Sequence, residues 1–161
     1  MDNLYYEKLV NTSIRFVSFR PRSEKELRDF LIKKLMKWKV SGDVLINKVI
    51  ARMGELGYVD DQKFATWWVE QRNTFRPKGM ALLARELYQK GIARDLIEEV
   101  LGQSKGSDEE AARIVVNKKL KILKHLSRLE KKKKLYGFLG RRGFSSETIN
   151  RVVDDVLNDG V

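Results

Sequence analysis

Lys131-Lys132-Lys133-Lys134 is the densest chemistry in this chain, and it lies inside a wider basic block. Residues 113–142 hold twelve Lys/Arg against one acid, Glu130, while residues 1–112 nearly balance at twenty against seventeen. Residues 143–161 are acidic, with one against four, so the net charge of +11 lies essentially in those thirty residues. Such a block can neutralise phosphates and release their counterions, which gives salt-sensitive nucleic-acid binding. The same charge can dock on an acidic protein surface, and the plainer reading is a solvated helix face that keeps the protein soluble. Trp67-Trp68 adds aromatic surface upstream, near Arg72 and Arg76. Trp68 shares a helix face with Phe64 and Phe75 and is expected in the core. Trp67 lies about 100° around the helix, placed either to stack on a base or anchor a partner, or to pack between neighbouring helical units.

Catalytic chemistry has little to work with. There is one histidine, His125, and no cysteine, which removes the common triad pairings and most His/Cys metal sites. His125 stands between Lys124 and Leu126 near a helix end and reads as a surface residue. No GxxxxGK[ST] run or GxGxxG turn is present to hold a nucleotide. The adjacent carboxylates Asp60-Asp61 and Asp154-Asp155 do not face each other on a helix, so they read as caps or solvated positions. The expectation is a non-enzyme with no cofactor, no metal and no catalytic residue. Disulfides are excluded, no apolar run approaches the length of a membrane span, and Met1 to Glu7 does not read as a secretory signal; a soluble cytoplasmic protein is expected.

The elements that must position these residues are helices. Leu9, Ile14, Phe16 and Val17 stripe a helix over 4–19 that stops at Arg20-Pro21-Arg22, because the residue before proline is disfavoured in the α region. Ser23-Glu24-Lys25-Glu26 is a capping box opening the next helix, with Leu27, Phe30, Leu31 and Leu35 at helical spacing. Asp43 is expected to cap a third helix ended by Gly57, and Asp61 to cap a fourth running to about Phe75. After the break at Arg76-Pro77-Lys78-Gly79, Met80 to Gly91 and Ala93 to Leu101 complete a second group. Gly102 to Ser107 reads as a linker. Helices are then expected over Ala111–Leu126, Leu129–Arg142 and Ser145–Asn158.

One phrase recurs. Leu87-Tyr88-Gln89-Lys90-Gly91-Ile92 is followed by Ile97, and Leu139-Gly140-Arg141-Arg142-Gly143-Phe144 by Ile149, at equal spacing, with a weaker copy at Leu35 to Val40. Internal repetition of this kind marks tandem helical units. The predicted fold is all-α: three tandem three-helix units, 1–57, 58–103 and 104–161, forming an elongated, curved array, the last unit strongly basic.

Four segments, Arg20 to Leu27, Gly57 to Ala65, Glu86 to Ile92 and Phe138 to Phe144 (with Ile149 and Val153 beyond), resemble the signature segments of the RecX regulatory proteins, in the right order across residues 20–157. The resemblance implies a modulator, generally an inhibitor, of the bacterial recombinase RecA, lying along the groove of the recombinase–DNA filament and hindering ATP hydrolysis and strand exchange in DNA repair and recombination. It implies as partners the RecA filament and single- and double-stranded DNA met by the basic face, with the protein itself a monomer. Charge and helix face nominate Arg72, Arg76, Lys78, Arg85, Lys131, Lys132, Lys133, Lys134, Arg141 and Arg142 as contacts with filament or DNA. The competing reading is a free-standing, sequence-nonspecific DNA- or RNA-binding helical protein. Two departures from the family pattern stand out: Trp38-Lys39 replaces a basic residue followed by Gly after the second helix, and Pro77-Lys78-Gly79 stands where a Gly-Pro order is common.

Overall fold

The computed structural model describes residues 2–104 and 107–158, except for the side chains of Asp2 and Ser107. Among the described residues there are nine α-helices and no strand: α1 Asp2–Ser18, α2 Glu24–Trp38, α3 Asp43–Glu55, α4 Asp61–Phe75, α5 Met80–Gln89, α6 Arg94–Gln103, α7 Ser107–Ile122, α8 Arg128–Arg141 and α9 Ser146–Asn158. None of these helices is long and apolar enough to cross a membrane. The all-α expectation is met.

Each apolar stripe buries one face. In the first triplet, α1, α2 and α3 all contact one another around Leu9, Leu27, Leu31, Leu35, Ile46, Val49, Ile50 and Met53. In the last, α7, α8 and α9 close around Ala112, Val116, Leu135, Leu139, Val152 and Val153. Phe64, Ala65, Val69, Leu83, Leu87, Ile92, Ile97, Val100 and Leu101 are the buried hydrophobic positions between them in sequence. By compactness the residues form two units, Met1–Trp67 with Tyr88–Leu96, and Trp68–Leu87 with Ile97–Val161. Leu87 is fully buried, so Leu87→Ala is expected to cost about 2–5 kcal/mol in a urea melt; a loss below about 1 kcal/mol would show that its surroundings collapse without cost.

The recurring sequence phrase is a helix stop. Gly91 and Gly143 both take φ +80°, and their N–H groups donate to the carbonyls of Tyr88 (2.9 Å) and Gly140 (3.0 Å). Lys39 adopts the same left-handed geometry at φ 57°, with its N–H on Met36 and the Val40 N–H on Leu35, each at 3.1 Å. This is the Schellman arrangement, which uses carbonyls a helix end leaves unpaired. The non-glycine departure in the first triplet therefore leaves the turn intact.

Helix starts show where register reading slips. Ser23 forms the expected capping box: its hydroxyl accepts from the Glu26 N–H at 3.2 Å, and the Glu26 carboxylate accepts from the Ser23 N–H at 3.3 Å. Asp43 is the first residue of α3 and not its cap; Gly42 occupies that place without a side-chain bond. Asp60, not Asp61, caps α4, accepting from the Lys63 N–H at 3.0 Å. A second capping box, Ser127 with Glu130, opens α8. It has the same S-x-x-E spacing as Ser23, but the apolar stripe through Leu120 and Leu123 carried the expected α7 four residues too far and hid it. Of the expected linker, Gly102 and Gln103 belong to α6, and Lys105 and Gly106 lie outside the described residues.

Candidate functional site

Two joints of the same design connect successive triplets, and each falls within one compact unit. In the first, the Glu24 N–H at the start of α2 donates to the Asp61 carboxylate at 2.8 Å. The buried Ser23 hydroxyl donates to the Lys90 carbonyl at the end of α5, at 2.7 Å. In the second, the Met80 N–H at the start of α5 donates to Asp108 on α7 at 3.1 Å, and the Gly79 N–H donates to the Arg142 carbonyl at the end of α8, at 2.8 Å. Unpaired donors at a helix N-terminus thus meet a carboxylate and an unpaired C-terminal carbonyl, which satisfies both ends and their dipoles together. Because Asp60 takes the capping role, Asp61 is left to reach across to α2.

The glycines of the helix stops are needed here twice. A Cβ on Gly91 would lie 2.6 Å from Lys25 Cβ, and one on Gly143 would lie 2.4 Å from Leu82 Cβ. Gly79 meets main chain: its Cβ would stand 2.1 Å from the Gly143 carbonyl oxygen. Pro77-Lys78-Gly79 therefore brings two backbones into contact, which explains why Gly closes that break.

A glutamate organises charge in each unit. Glu26 accepts from Arg20 at 2.8 Å and from Lys90 at 2.7 Å while completing the Ser23 capping box. Burial pushes its pKa up, but hydrogen bonds from Arg20 and Lys90 outweigh that and bring it down to about 2. Glu86 accepts from the Trp68 indole N–H at 3.0 Å, from Arg72 at 3.2 Å and from Lys78. Its pKa is lowered too, because the Lys78 and Trp68 hydrogen bonds overcome burial. Asp61 and Asp108 go the other way: burial raises both, and the backbone N–H groups they accept offset it only in part.

The nominated basic residues fall into distinct settings. Arg72 and Lys78 are joined to Glu86, and the Arg72 guanidinium covers the Trp68 ring at 4.3 Å. Trp68 is thus half-buried with a polar partner, and Phe75, expected beside it in the core, is 71% exposed. Arg85 and Arg76 are exposed. Arg142 is half-buried, donates to the Pro77 carbonyl at 3.1 Å, and has its pKa lowered by burial and then by the nearby Arg76 charge. The lysine run divides around α8. Lys132 pairs with Asp154 at 2.7 Å, Lys131 is half-buried, and Lys133, Lys134 and Arg141 join Lys119 around a groove over Leu123, Leu135 and Phe138. No carboxylate among the described residues lines that groove. The Phe138 ring lies between cations, with Lys119 Nζ at 4.1 Å and the Arg142 guanidinium at 4.9 Å. Lys119 was not nominated by sequence; its place one helix before the run is what conceals it. His125 is exposed in the turn before α8, and no group of three or more His, Asp or Glu among the described residues is arranged to hold a metal.

Known proteins match this chain along nearly its whole length. Family models for the RecX second and third three-helix domains match residues 60–101 and 107–153. Regulatory protein RecX of Chlorobium phaeobacteroides (strain BS1) is 34% identical over 153 residues, covering 94% of this chain and 95% of that protein. Regulatory protein RecX of Bacillus subtilis (strain 168) is 35% identical over 151 residues, 93% of this chain but 55% of its own length. The crystal structure of RecX from Lactobacillus salivarius superposes with a TM-score of 0.77 at 22% identity, covering 93% of this chain and 95% of that one, so the fold is shared. With two domain models in order and a relative matched almost end to end, this chain belongs to the RecX family of regulatory proteins.

Proposed function

We propose that this protein binds the RecA–DNA filament and restrains it, inhibiting recombinase ATP hydrolysis and strand exchange as a non-enzymatic regulator in the cytoplasm. Family membership across the chain is the observation that carries this reading. The charge distribution supports it. Three modules, 1–57, 58–103 and 104–161, act as one monomeric binder whose last module presents the groove of Lys119, Lys133, Lys134 and Arg141. Cations around an apolar floor whose lining includes no carboxylate suit DNA phosphate or an acidic recombinase surface. Arg76, Arg85 and Arg142 supply further charge, while Arg72, Lys78 and Lys132 already have carboxylate partners and serve the fold first.

The test is RecA ATPase activity on single-stranded DNA, titrated with this protein at two salt concentrations. Inhibition well below one regulator per recombinase subunit is expected. Inhibition only near full DNA coverage, lost at moderate salt, would instead favour a basic protein competing for DNA, the reading that the acid-free groove also supports. Lys133→Glu with Lys134→Glu is expected to weaken inhibition by about fivefold or more through charge reversal, with little change in the melting curve because both side chains are exposed. Unchanged inhibition would remove the groove from the interface.

A further inference from the structure

Segments 17–22 and 57–67 meet beside the first joint and leave an open concavity of about 670 Å³, within the range of roughly 300–1,000 Å³ common for small-ligand sites. Its lining is aromatic and cationic. Phe19, just past the end of α1, is 84% exposed, and Tyr58 is 47% exposed. Tyr58 follows the left-handed Gly57 (φ +73°), and its N–H closes α3 on the Met53 carbonyl at 2.9 Å, which fixes where the ring leaves the backbone. Trp67 on α4 contributes a half-buried indole with the Arg20 guanidinium 6.0 Å from its centroid. Three separate elements therefore bring one ring each to a single pocket.

The charge around these rings is positive. Arg20 is matched by Glu26, but Arg22 and Lys63 also line the pocket. The carboxylate there, Asp60, is turned to the α4 backbone as its cap. Arg22 is held in place: its guanidinium lies 4.2 Å over Phe16, which is itself stacked on Phe30 at 4.1 Å and 3°. Burial and the adjacent Arg20 both press against the Arg22 charge, with Glu26 opposing them, so an anion at this point would be favoured. A cluster of exposed aromatic faces does little for folding and marks a binding surface. Flat π faces with cations within reach of neighbouring phosphates are the composition of a single-strand platform, where bases stack and charges follow the backbone.

We propose that this pocket stacks an unpaired base of single-stranded DNA, with Phe19 and Tyr58 as stacking faces and Arg22 and Lys63 on the adjoining phosphates. The site is separate from the basic groove of the last triplet, and the proposal rests on the reading that the protein works on a DNA-bound filament. A base-stacking contact makes binding depend on the bases themselves, which a purely electrostatic groove does not.

The experiment compares fluorescently labelled oligo(dT) of twenty nucleotides with an abasic strand of equal length and charge, by anisotropy, for the intact protein and for Phe19→Ala with Tyr58→Ala. The intact protein should prefer oligo(dT) by about tenfold, and the variant should lose most of that preference while keeping its affinity for the abasic strand. Both side chains are substantially exposed, so the variant should fold; an unshifted melting curve confirms it. Equal binding of the two strands by the intact protein, or a preference that survives in the variant, overturns the proposal and leaves RecA inhibition untouched. Loss of ATPase inhibition in the variant with unchanged DNA binding also overturns it, assigning the pocket to a protein side chain. Failure to bind either strand overturns both this site and direct contact with DNA.

Discussion

Gly79→Ala should be among the most damaging single-methyl changes in the chain, costing about 3 kcal/mol of stability. The added Cβ would lie 2.1 Å from the Gly143 oxygen, 2.3 Å from its carbonyl carbon and 2.4 Å from the Phe144 nitrogen. All three are main-chain atoms, so no rotamer change relieves the clash. The start of α5 would have to withdraw, stretching the bonds from Gly79 to Arg142 (2.8 Å) and from Met80 to Asp108 (3.1 Å). Gly140→Ala is the control: it lies in α8 with nothing within 4 Å of its would-be Cβ, and should gain about 0.5–1 kcal/mol from helix propensity alone. Urea melts of the two variants should move in opposite directions. A Gly79→Ala midpoint within error of the parent would show that the two backbones separate without cost.

Removing the Glu26 charge is expected to destabilise the first joint by about 2 kcal/mol at neutral pH, because Arg20 and Lys90 lose a shared, largely enclosed partner. Glu26→Gln keeps an acceptor for the Ser23 N–H, so it isolates the charge from the cap; Glu26→Ala, losing both, should be worse. The pH dependence follows from the depressed pKa. With a folded value of about 2 against an ordinary 4.5, the carboxylate's contribution is fully present above pH 4.5 and disappears as the pH falls through 2. Glu86 acts in the same direction. Asp61 and Asp108 oppose them: their raised values mean that the folded state takes up a proton more readily than the unfolded chain, so mild acid relieves a cost they impose at neutral pH. Thermal melts should therefore hold steady or rise on entering the weakly acid range and then fall, and Glu26→Gln should flatten that fall. An acid limb of equal depth in Glu26→Gln would assign the loss to other carboxylates.

Helix type and order were legible because apolar residues recur at helical spacing and because Ser23-Glu24-Lys25-Glu26 carries its own start signal. What escaped was register at helix ends. Asp60 and Asp61 are equally good caps as residue types; a one-residue difference decides that Asp60 serves its own helix and Asp61 reaches α2. The joints were hidden for a related reason. They pair residues far apart in sequence, such as Ser23 with Lys90 and Gly79 with Arg142, and each bond has on at least one side a backbone group that every residue offers. Among the nominated contacts, positive charge was plain but its pairing was not. Nothing near Lys78 in sequence says that it belongs to Glu86, or near Lys132 that it belongs to Asp154. The pocket at Phe19 and Tyr58 escaped because its walls are connecting segments with no periodicity to reveal a shared face.

Lys39 shows that the turn and the joint make separate demands on a helix stop. Gly91 and Gly143 lack side chains because the start of an earlier helix presses on them, Lys25 on one and Leu82 on the other. At Lys39 the same left-handed turn is made by a residue that carries a side chain. The start of α8 is satisfied by its own Ser127–Glu130 capping box. The joint is thus a directional coupling with a plug and a socket. A module that receives such a coupling needs an acid at the start of its first helix and a glycine stop after its second, so Lys39 would have to become glycine before its own turn could serve as a socket.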